Sequence, residues 1–168
     1  PLGERLASAM PRDQPFDLIV PVPLHWRRRF QRGFNQAALL AELAAHVGTV
    51  ERVPDLAEQA CRRLQELGYG NIEVHTAGNI LGWPKGAPYD AILVTAGAPR
   101  VPRSLPTQLS MGGRLVIPVG QRRVQQLLHV AKTPRGTTVQ KLGECRFVPL
   151  IGRGAWSEVE APVEYFAP

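Results

Sequence analysis

Five short apolar segments recur along the chain and predict its strands. Residues 16–22, 89–95 and 114–119 are runs rich in Leu, Ile and Val, which are typical of strands buried on both faces of a parallel sheet. Two shorter segments with many β-branched residues complete the set, and Pro or Gly flanks most of the five. The five predicted strands cover residues 16–22, 48–53, 72–76, 89–95 and 114–119.

Helical patterns lie between these strands. Residues 35–47 are mostly Ala and Leu, and this composition predicts a well-buried helix. Residues 54–67 have apolar positions at helical spacing; Asp55 is the predicted N-cap, and Glu58 three residues later completes a capping box. A short helix is predicted over residues 102–111.

The last third of the sequence predicts a hairpin. Residues 124–133 and 138–150 alternate as strands do, and Pro134-Arg135-Gly136 forms the predicted turn between them. Strands that alternate with helices indicate an α/β fold, with a mostly parallel Rossmann-like sheet, antiparallel edge strands and helices on both faces. The 168 residues fit one such domain, so we expect residues 1–168 to form a single domain.

This fold predicts where a ligand binds. In an open parallel sheet, ligands bind outside the carboxyl ends of the strands, where the strand order reverses. The predicted strand ends are followed by the segment after Val22, by Glu51-Arg52, by residues 77–79 and by residues 95–97. We therefore expect these segments to meet at one crevice.

Glu51 is the candidate with the clearest chemistry. A carboxylate at the end of the second strand can accept hydrogen bonds from both ribose hydroxyls of a bound nucleoside. The alternative is an exposed loop carboxylate paired with Arg52 or Arg63. Gly33 is a weaker candidate: it opens the first predicted helix, where backbone N–H groups suit the polar end of a cofactor, but a plain helix start explains it equally well.

The positive net charge of the chain is compatible with an anionic partner. The chain has 20 Lys and Arg against 14 Asp and Glu, a net charge of +6. Arg27, Arg28, Arg29 and Arg32 lie in one loop with two aromatic residues, a mixture that can bind nucleic acid. We prefer a solvated basic loop, and nucleic-acid binding is kept as the lesser alternative.

Other function classes find little support. Cys61 and Cys145 give no disulfide framework, and the four His residues show no metal-ligand spacing, so we expect no metal site and a reduced, cytoplasmic setting. No apolar run approaches the length of about 20 residues that a membrane-spanning helix requires. The N-terminus has no signal-peptide pattern and resembles an internal cut through a longer reading frame.

Residues from about 35 to 156 resemble the protein-L-isoaspartate O-methyltransferase family. The order and spacing of the matching stretches agree with that family, and among them are Leu-Gly-Trp-Pro and Gly-Gly-Arg-Leu-Val-Ile-Pro-Val-Gly. The stretches cover residues 40–53, 67–74, 81–84, 87–96, 112–120 and 146–150.

The resemblance implies an S-adenosylmethionine-dependent methyltransferase that methylates isoaspartyl carboxylates in proteins or peptides. It implies that Glu51, with Arg52 beside it, binds the cofactor's ribose. Gly78-Asn79 stands where the family carries an Asp-Gly pair next to the adenine, and Thr95 lies on the floor of the site. The resemblance assigns no catalytic residue in this sequence.

The first 41 residues are similar to ComF-type phosphoribosyltransferases, through Phe-Asp-Leu-Ile-Val-Pro-Val-Pro-Leu-His-Trp and the arginine loop that follows. The chain is therefore interpreted as a chimera: a phosphoribosyltransferase-like unit over residues 1–40, a methyltransferase-like core over 41–156 and a tail over 157–168.

The chimera predicts impaired chemistry. Residues 21–32 stand in place of the methyltransferase glycine-rich loop, and the family's N-terminal substrate segment and the phosphoribosyl pyrophosphate loop are both missing. We expect methyl transfer to be weak or lost. The alternative is a non-catalytic recombined α/β domain with residual nucleoside or polyanion binding, and the oligomeric state is left open.

Overall fold

The computed structural model describes residues 17–21 and 44–157 of the chain. Its seven strands form one sheet in the order β3-β2-β1-β4-β5-β6-β7. The strands are β1 (Asp17–Pro21), β2 (His46–Glu51), β3 (Ile72–Thr76), β4 (Tyr89–Leu93), β5 (Leu109–Gly120), β6 (Gln125–Thr133) and β7 (Gly136–Cys145). Within the described residues the helices are α1 (Pro54–Glu66) and α2 (Ser104–Thr107), with a 3-10 turn at Pro84–Gly86.

The sheet is parallel over its first five strands and antiparallel at one edge. Strand β1 lies between β2 and β4 and is parallel to both, so the strand order reverses between β1 and β4. Strands β5, β6 and β7 pair antiparallel in sequence order. The predicted architecture is confirmed: this is a mostly parallel Rossmann-like sheet with an antiparallel edge.

Both faces of the central strands are buried. Ile92 of β4 packs into one apolar cluster with Leu115 of β5, while the neighbouring Leu93 packs into a second cluster with Val116. Since successive side chains of a strand point to opposite faces, the two clusters lie on opposite sides of the sheet. This double burial explains why the sequence shows continuous apolar runs at these strands.

Helix α1 begins differently from the prediction. Its N-cap is Val53, which makes no side-chain cap, so the predicted capping box of Asp55 and Glu58 is wrong. Pro54 occupies the first helical position, where its missing N–H costs nothing, and Asp55 falls within the first turn. A carboxylate there still interacts favourably with the helix dipole.

Two predicted boundaries also move. Strand β2 begins at His46, so the helix predicted over 35–47 cannot extend to its predicted end; residues 35–43 lie outside the described residues. Strand β5 begins at Leu109 and not at residue 114, because Leu109 pairs with Tyr89 across the sheet. The helix predicted over 102–111 is therefore reduced to α2. In the described ranges no helix is both long and apolar enough to cross a membrane.

Candidate functional site

The carboxyl ends of β2 and β3 lie side by side at the predicted crevice. Strand β2 ends at Glu51, and its carbonyl accepts a hydrogen bond of 2.7 Å from the backbone N–H of Ala77, just after β3. Gly78 and Asn79 follow directly and are exposed. The structure thus brings together Glu51, Gly78 and Asn79, three of the residues singled out from the sequence.

Glu51 is buried, with 6% of its surface exposed. Its Oε1 accepts a hydrogen bond of 2.9 Å from the backbone N–H of Val53. Burial raises the pKa of the Glu51 carboxyl, and the backbone N–H groups of Val53 and Arg52 and the charge of Arg52 oppose that rise. The alternative of an exposed loop carboxylate is wrong, and Arg63 pairs instead with Glu66 at 3.6 Å.

Exposed apolar side chains accompany these polar groups. Val53 follows β2 and is 36% exposed, and Ile80 follows β3 and is 51% exposed. At Gly78 an added side chain would meet no atom within 4 Å, and its φ is not in the left-handed range. Open space, two apolar side chains and a buried carboxylate are therefore available at one edge of the sheet, a combination that suits a nucleoside.

The loop after β3 is anchored by two side chains that the sequence analysis did not single out. The Nε2 of Gln108 donates to the Leu81 carbonyl at 2.8 Å and to the Ser104 carbonyl at 2.6 Å. The Tyr89 hydroxyl donates to the Trp83 carbonyl at 2.7 Å. These bonds fix the loop that carries Gly78 and Asn79 against β4 and α2.

An aromatic stack supports the same loop from the edge strand. The His75 and Trp83 rings lie parallel, with centroids 4.2 Å apart and planes within 6°. The Lys85 Nζ lies over the Trp83 ring, 5.5 Å from its centroid. The Glu73 Oε2 lies 3.3 Å from the His75 Nε2. Alternation along β3 places Glu73 and His75 on one face, but no local pattern in the sequence predicts that the Trp83 ring stacks on His75.

The segment after β4 is the predicted floor of the crevice. Thr95 is partly buried, Gly97 is buried, and Ala96 and Ala98 are fully buried. Gly97 is held on both sides of its backbone: its N–H donates to Val148 at 2.7 Å and its carbonyl accepts from Leu150 at 2.8 Å. Thr95 therefore lies beside a firmly bonded stretch of backbone, and its place on the floor of the site stays a prediction.

Some predicted site residues lie outside the described residues. These are Gly33 and the arginine loop of Arg27, Arg28, Arg29 and Arg32. Arg52 is described and exposed, next to Glu51. Across the described part of the chain, no group of three or more His, Cys, Asp or Glu is arranged to hold a metal ion.

Comparison with known proteins decides the family. A profile of the protein-L-isoaspartate(D-aspartate) O-methyltransferase family matches residues 32–155. The chain belongs to this family. The match covers β2 to β7 and all the described site segments, whereas β1 and residues 27–31 of the arginine loop precede it.

Individual members of the family are similar in sequence to this chain. It is 54% identical over 121 residues to protein-L-isoaspartate O-methyltransferase 1 of Syntrophobacter fumaroxidans, covering 72% of this chain and 56% of that protein. It is 48% identical over 126 residues to the Rhodopseudomonas palustris enzyme, covering 74% and 58%. The chain thus spans somewhat more than half the length of these curated relatives.

Solved structures show the same fold. A protein-L-isoaspartate O-methyltransferase structure superposes with a TM-score of 0.70 and 27% identity, over 86% of this chain and 44% of the other. A Plasmodium falciparum member solved with S-adenosyl-L-homocysteine superposes with a TM-score of 0.60 and 21% identity, over 89% and 71%.

Proposed function

We propose that this family member binds S-adenosylmethionine at the carboxyl ends of β1 to β4 and transfers its methyl group weakly to isoaspartyl carboxylates. The observation that carries the proposal is the Glu51 carboxylate, which is buried at the end of β2 and already held by a backbone N–H. The bound cofactor supplies an electrophilic methyl group on a sulfonium.

The described residues fit the nucleoside half of that cofactor. Glu51 would accept hydrogen bonds from the ribose hydroxyls, with Arg52 beside it. Gly78 and Asn79 would face the adenine, whose flat ring also suits the exposed Val53. Thr95 would line the floor. Gly33, at the start of the predicted helix, would lie near the polar end of the cofactor.

Methyl transfer to a carboxylate depends on positioning. The acceptor oxygen is already nucleophilic, so the protein has to hold it in line with the sulfonium and does not need a strong base. The family resemblance implies that residues 21–32 replace its glycine-rich loop, which would cradle the methionine end of the cofactor. We therefore expect cofactor binding to survive better than turnover.

A second candidate function rests on that same replacement. If the ComF-like segment over residues 1–41 blocks the methionine end, the chain is a non-catalytic recombined domain that retains nucleoside binding. Nucleic-acid binding through Arg27, Arg28, Arg29 and Arg32 is the lesser alternative. The division of the chain into units over 1–40, 41–156 and 157–168, the chimeric origin and the cytoplasmic location are kept as predictions.

The proposal is tested by an isoaspartyl-peptide methylation assay that detects S-adenosylhomocysteine as the product. We expect saturable cofactor binding with slow turnover, and an isomeric peptide with a normal aspartyl residue as the control substrate should give no product. Binding without any turnover would favour the non-catalytic candidate. Absence of both binding and turnover in a cooperatively folded protein would contradict the proposal.

A further inference from the structure

Three segments that are distant in the sequence meet at Gly97, beside the floor of the crevice. The segment after β4 is bonded to the chain's final described segment through Val148 and Leu150, as noted above. Its next residue, Ala98, donates to the Pro118 carbonyl at 2.9 Å and accepts from the N–H of Gly120 at 2.9 Å. The segments are residues 97–108, 118–125 and 146–157.

Trp156 and Arg122 form the centre of this junction. The indole Nε1 of Trp156 donates to the Gly97 carbonyl at 3.1 Å. The Arg122 guanidinium lies over the Trp156 ring, 5.0 Å from its centroid. The buried Gln125 donates to the Arg122 carbonyl at 2.9 Å, so both the backbone and the guanidinium of Arg122 are held in place.

Gln125 also ties the third segment to the junction. Its Oε1 accepts a hydrogen bond of 2.7 Å from the backbone N–H of Phe147, and its side chain packs against Gly97, where an added Cβ would lie 3.0 Å from its Cδ. One buried amide thus connects the β5–β6 loop, the segment after β4 and the segment after β7. These contacts hold the three segments together, and they position Arg122 before any ligand binds.

The charge of the junction is one-sided. The three segments contain six arginines and no Asp or Glu. Five of the six are exposed and Arg122 is partly buried. Within the residues that the structure describes, no carboxylate lies within 4.0 Å of any of them. This arginine face consists of Arg100, Arg103, Arg122, Arg123, Arg146 and Arg153.

Such a face attracts carboxylates. With no carboxylate beside them among the described residues, these guanidinium groups repel one another and raise the local positive potential, so a bound anion relieves the repulsion. The planar guanidinium presents paired N–H donors that match a carboxylate, and stacking on an indole leaves those edge donors free to bind. Of the six arginines, Arg122 is therefore the one best prepared to recognise a carboxylate.

We propose that the arginine face binds an acidic segment of the polypeptide substrate next to the residue to be methylated. The inference rests on the proposed function, because Gly97 follows Thr95 by two residues and the junction therefore adjoins the segment that would line the methylation site. Acidic side chains flanking the acceptor would then contact Arg122 and its neighbours, while the acceptor carboxylate reaches the crevice.

The test is a binding experiment without cofactor. A fluorescein-labelled peptide rich in Asp and Glu is titrated by anisotropy at low salt, and a peptide of the same length with Asn and Gln serves as the control. We expect Arg122→Glu to weaken binding of the acidic peptide about fivefold, and Arg153→Glu, at a fully exposed position, to weaken it by a similar factor. Binding should also weaken as salt rises.

Arg135→Glu is the matched control variant. It changes the net charge by the same amount, but Arg135 lies in the β6–β7 turn, at the opposite end of the sheet from the β5–β6 loop. We expect its affinity for the peptide to stay within about twofold of the unchanged protein. Thermal unfolding of each variant establishes that a weaker affinity is not a loss of fold.

Three results would overturn the inference. Equal binding of the acidic and the amide peptide would show that carboxylates are not recognised. Equal weakening by Arg135→Glu and Arg122→Glu would show a net-charge effect only. In a competition experiment, displacement of the acidic peptide by single-stranded DNA would indicate that the arginine face binds nucleic acid. None of these results depends on cofactor binding, so failure of this inference and failure of the proposed methyltransferase function remain distinguishable.

Discussion

The backbone N–H of Val53 donates a hydrogen bond of 2.9 Å to the Glu51 carboxylate. Val53 is also the N-cap of α1, and its carbonyl accepts from the N–H groups of Leu56 and Ala57. One residue therefore ends the turn that follows β2, starts the helix and orients the carboxylate of the proposed site. The helix N-terminus favours the negative charge, while burial opposes it.

Glu51→Gln should stabilise the protein at neutral pH. Burial raises the pKa of the Glu51 carboxyl above its ordinary value of 4.5, so the ionised form opposes folding. A Gln oxygen still accepts the Val53 hydrogen bond without a charge. We expect the free energy of unfolding to rise by about 1 kcal/mol at pH 7.5, measured by urea unfolding.

The pH dependence gives a second check on this effect. Below pH 4.5 the carboxyl is protonated in both the folded and the unfolded protein, so the advantage of Glu51→Gln should vanish there. Glu58→Gln, on the exposed face of α1, is the control and should change stability little at either pH. An equal gain in both variants would refute the burial account.

His129 should make the protein less stable in mild acid. Burial lowers its pKa below the ordinary value of 6.5, the nearby Arg114 lowers it further, and a hydrogen bond with Gln140 opposes both. The unfolded chain therefore binds the proton more readily, and stability falls as the pH drops below 6.5 towards the folded-state pKa. Urea midpoints at pH 7.5 and 5.5 measure the loss.

His129→Gln should reduce that loss of stability between the two pH values. His46→Gln, at an exposed position of β2, is the control that also removes one imidazole. We expect His46→Gln to keep the pH dependence of the unchanged protein. If both substitutions flatten the pH dependence equally, the partly buried His129 is not its source.

Gly82→Ala should destabilise the loop after β3. Gly82 has φ of +86°, and an added Cβ would lie 2.5 Å from the Gln108 Oε1, whose amide is fixed by two hydrogen bonds. We expect a loss of about 2–4 kcal/mol in the free energy of unfolding. Chemical denaturation provides the measurement.

Gly68→Ala separates the two causes of that loss. Gly68 has φ of +81°, but no atom lies within 4 Å of its added Cβ, so only the backbone strain remains. Gly68→Ala should therefore lower the free energy of unfolding by about 1 kcal/mol. If Gly82→Ala and Gly68→Ala lower the free energy of unfolding equally, the Gln108 side chain moves aside at no energetic cost and does not anchor the loop rigidly.

Gly78→Asp should strengthen binding of S-adenosylhomocysteine. The position is open and its backbone accepts any residue, and a carboxylate there can accept a hydrogen bond from the adenine amino group. We expect affinity to rise about threefold to tenfold in a calorimetric titration. Gly70→Asp adds the same charge at another open position, before β3, and should leave affinity unchanged. A gain in both would indicate a charge effect without adenine recognition.

The sheet could be predicted because double burial leaves a clear mark in the sequence. A strand covered on both faces must be apolar at every position, as Ile92 and Leu93 are. The start of β5 could not be predicted, because Gly112 and Gly113 look like a break and only pairing of Leu109 with Tyr89 extends the strand past them. Tertiary contacts decided that boundary.

The site was predictable only where strand position determines it. Glu51 ends a parallel strand, and the fold alone places such a residue at the crevice. The bond from Gln108 to Leu81 joins residues 27 positions apart, and the arginine face draws on three separate segments. Neither leaves a local pattern, so each appears only when the chain is folded.

The most direct test of the account is a calorimetric titration of Glu51→Gln with S-adenosylhomocysteine, beside the unchanged protein and Glu58→Gln. The account predicts micromolar binding by the unchanged protein and by Glu58→Gln. It predicts that Glu51→Gln binds more weakly by about 1–3 kcal/mol although it folds more stably. Unchanged affinity in Glu51→Gln, or no binding by any of the three folded proteins, would contradict the assignment of this crevice to the cofactor.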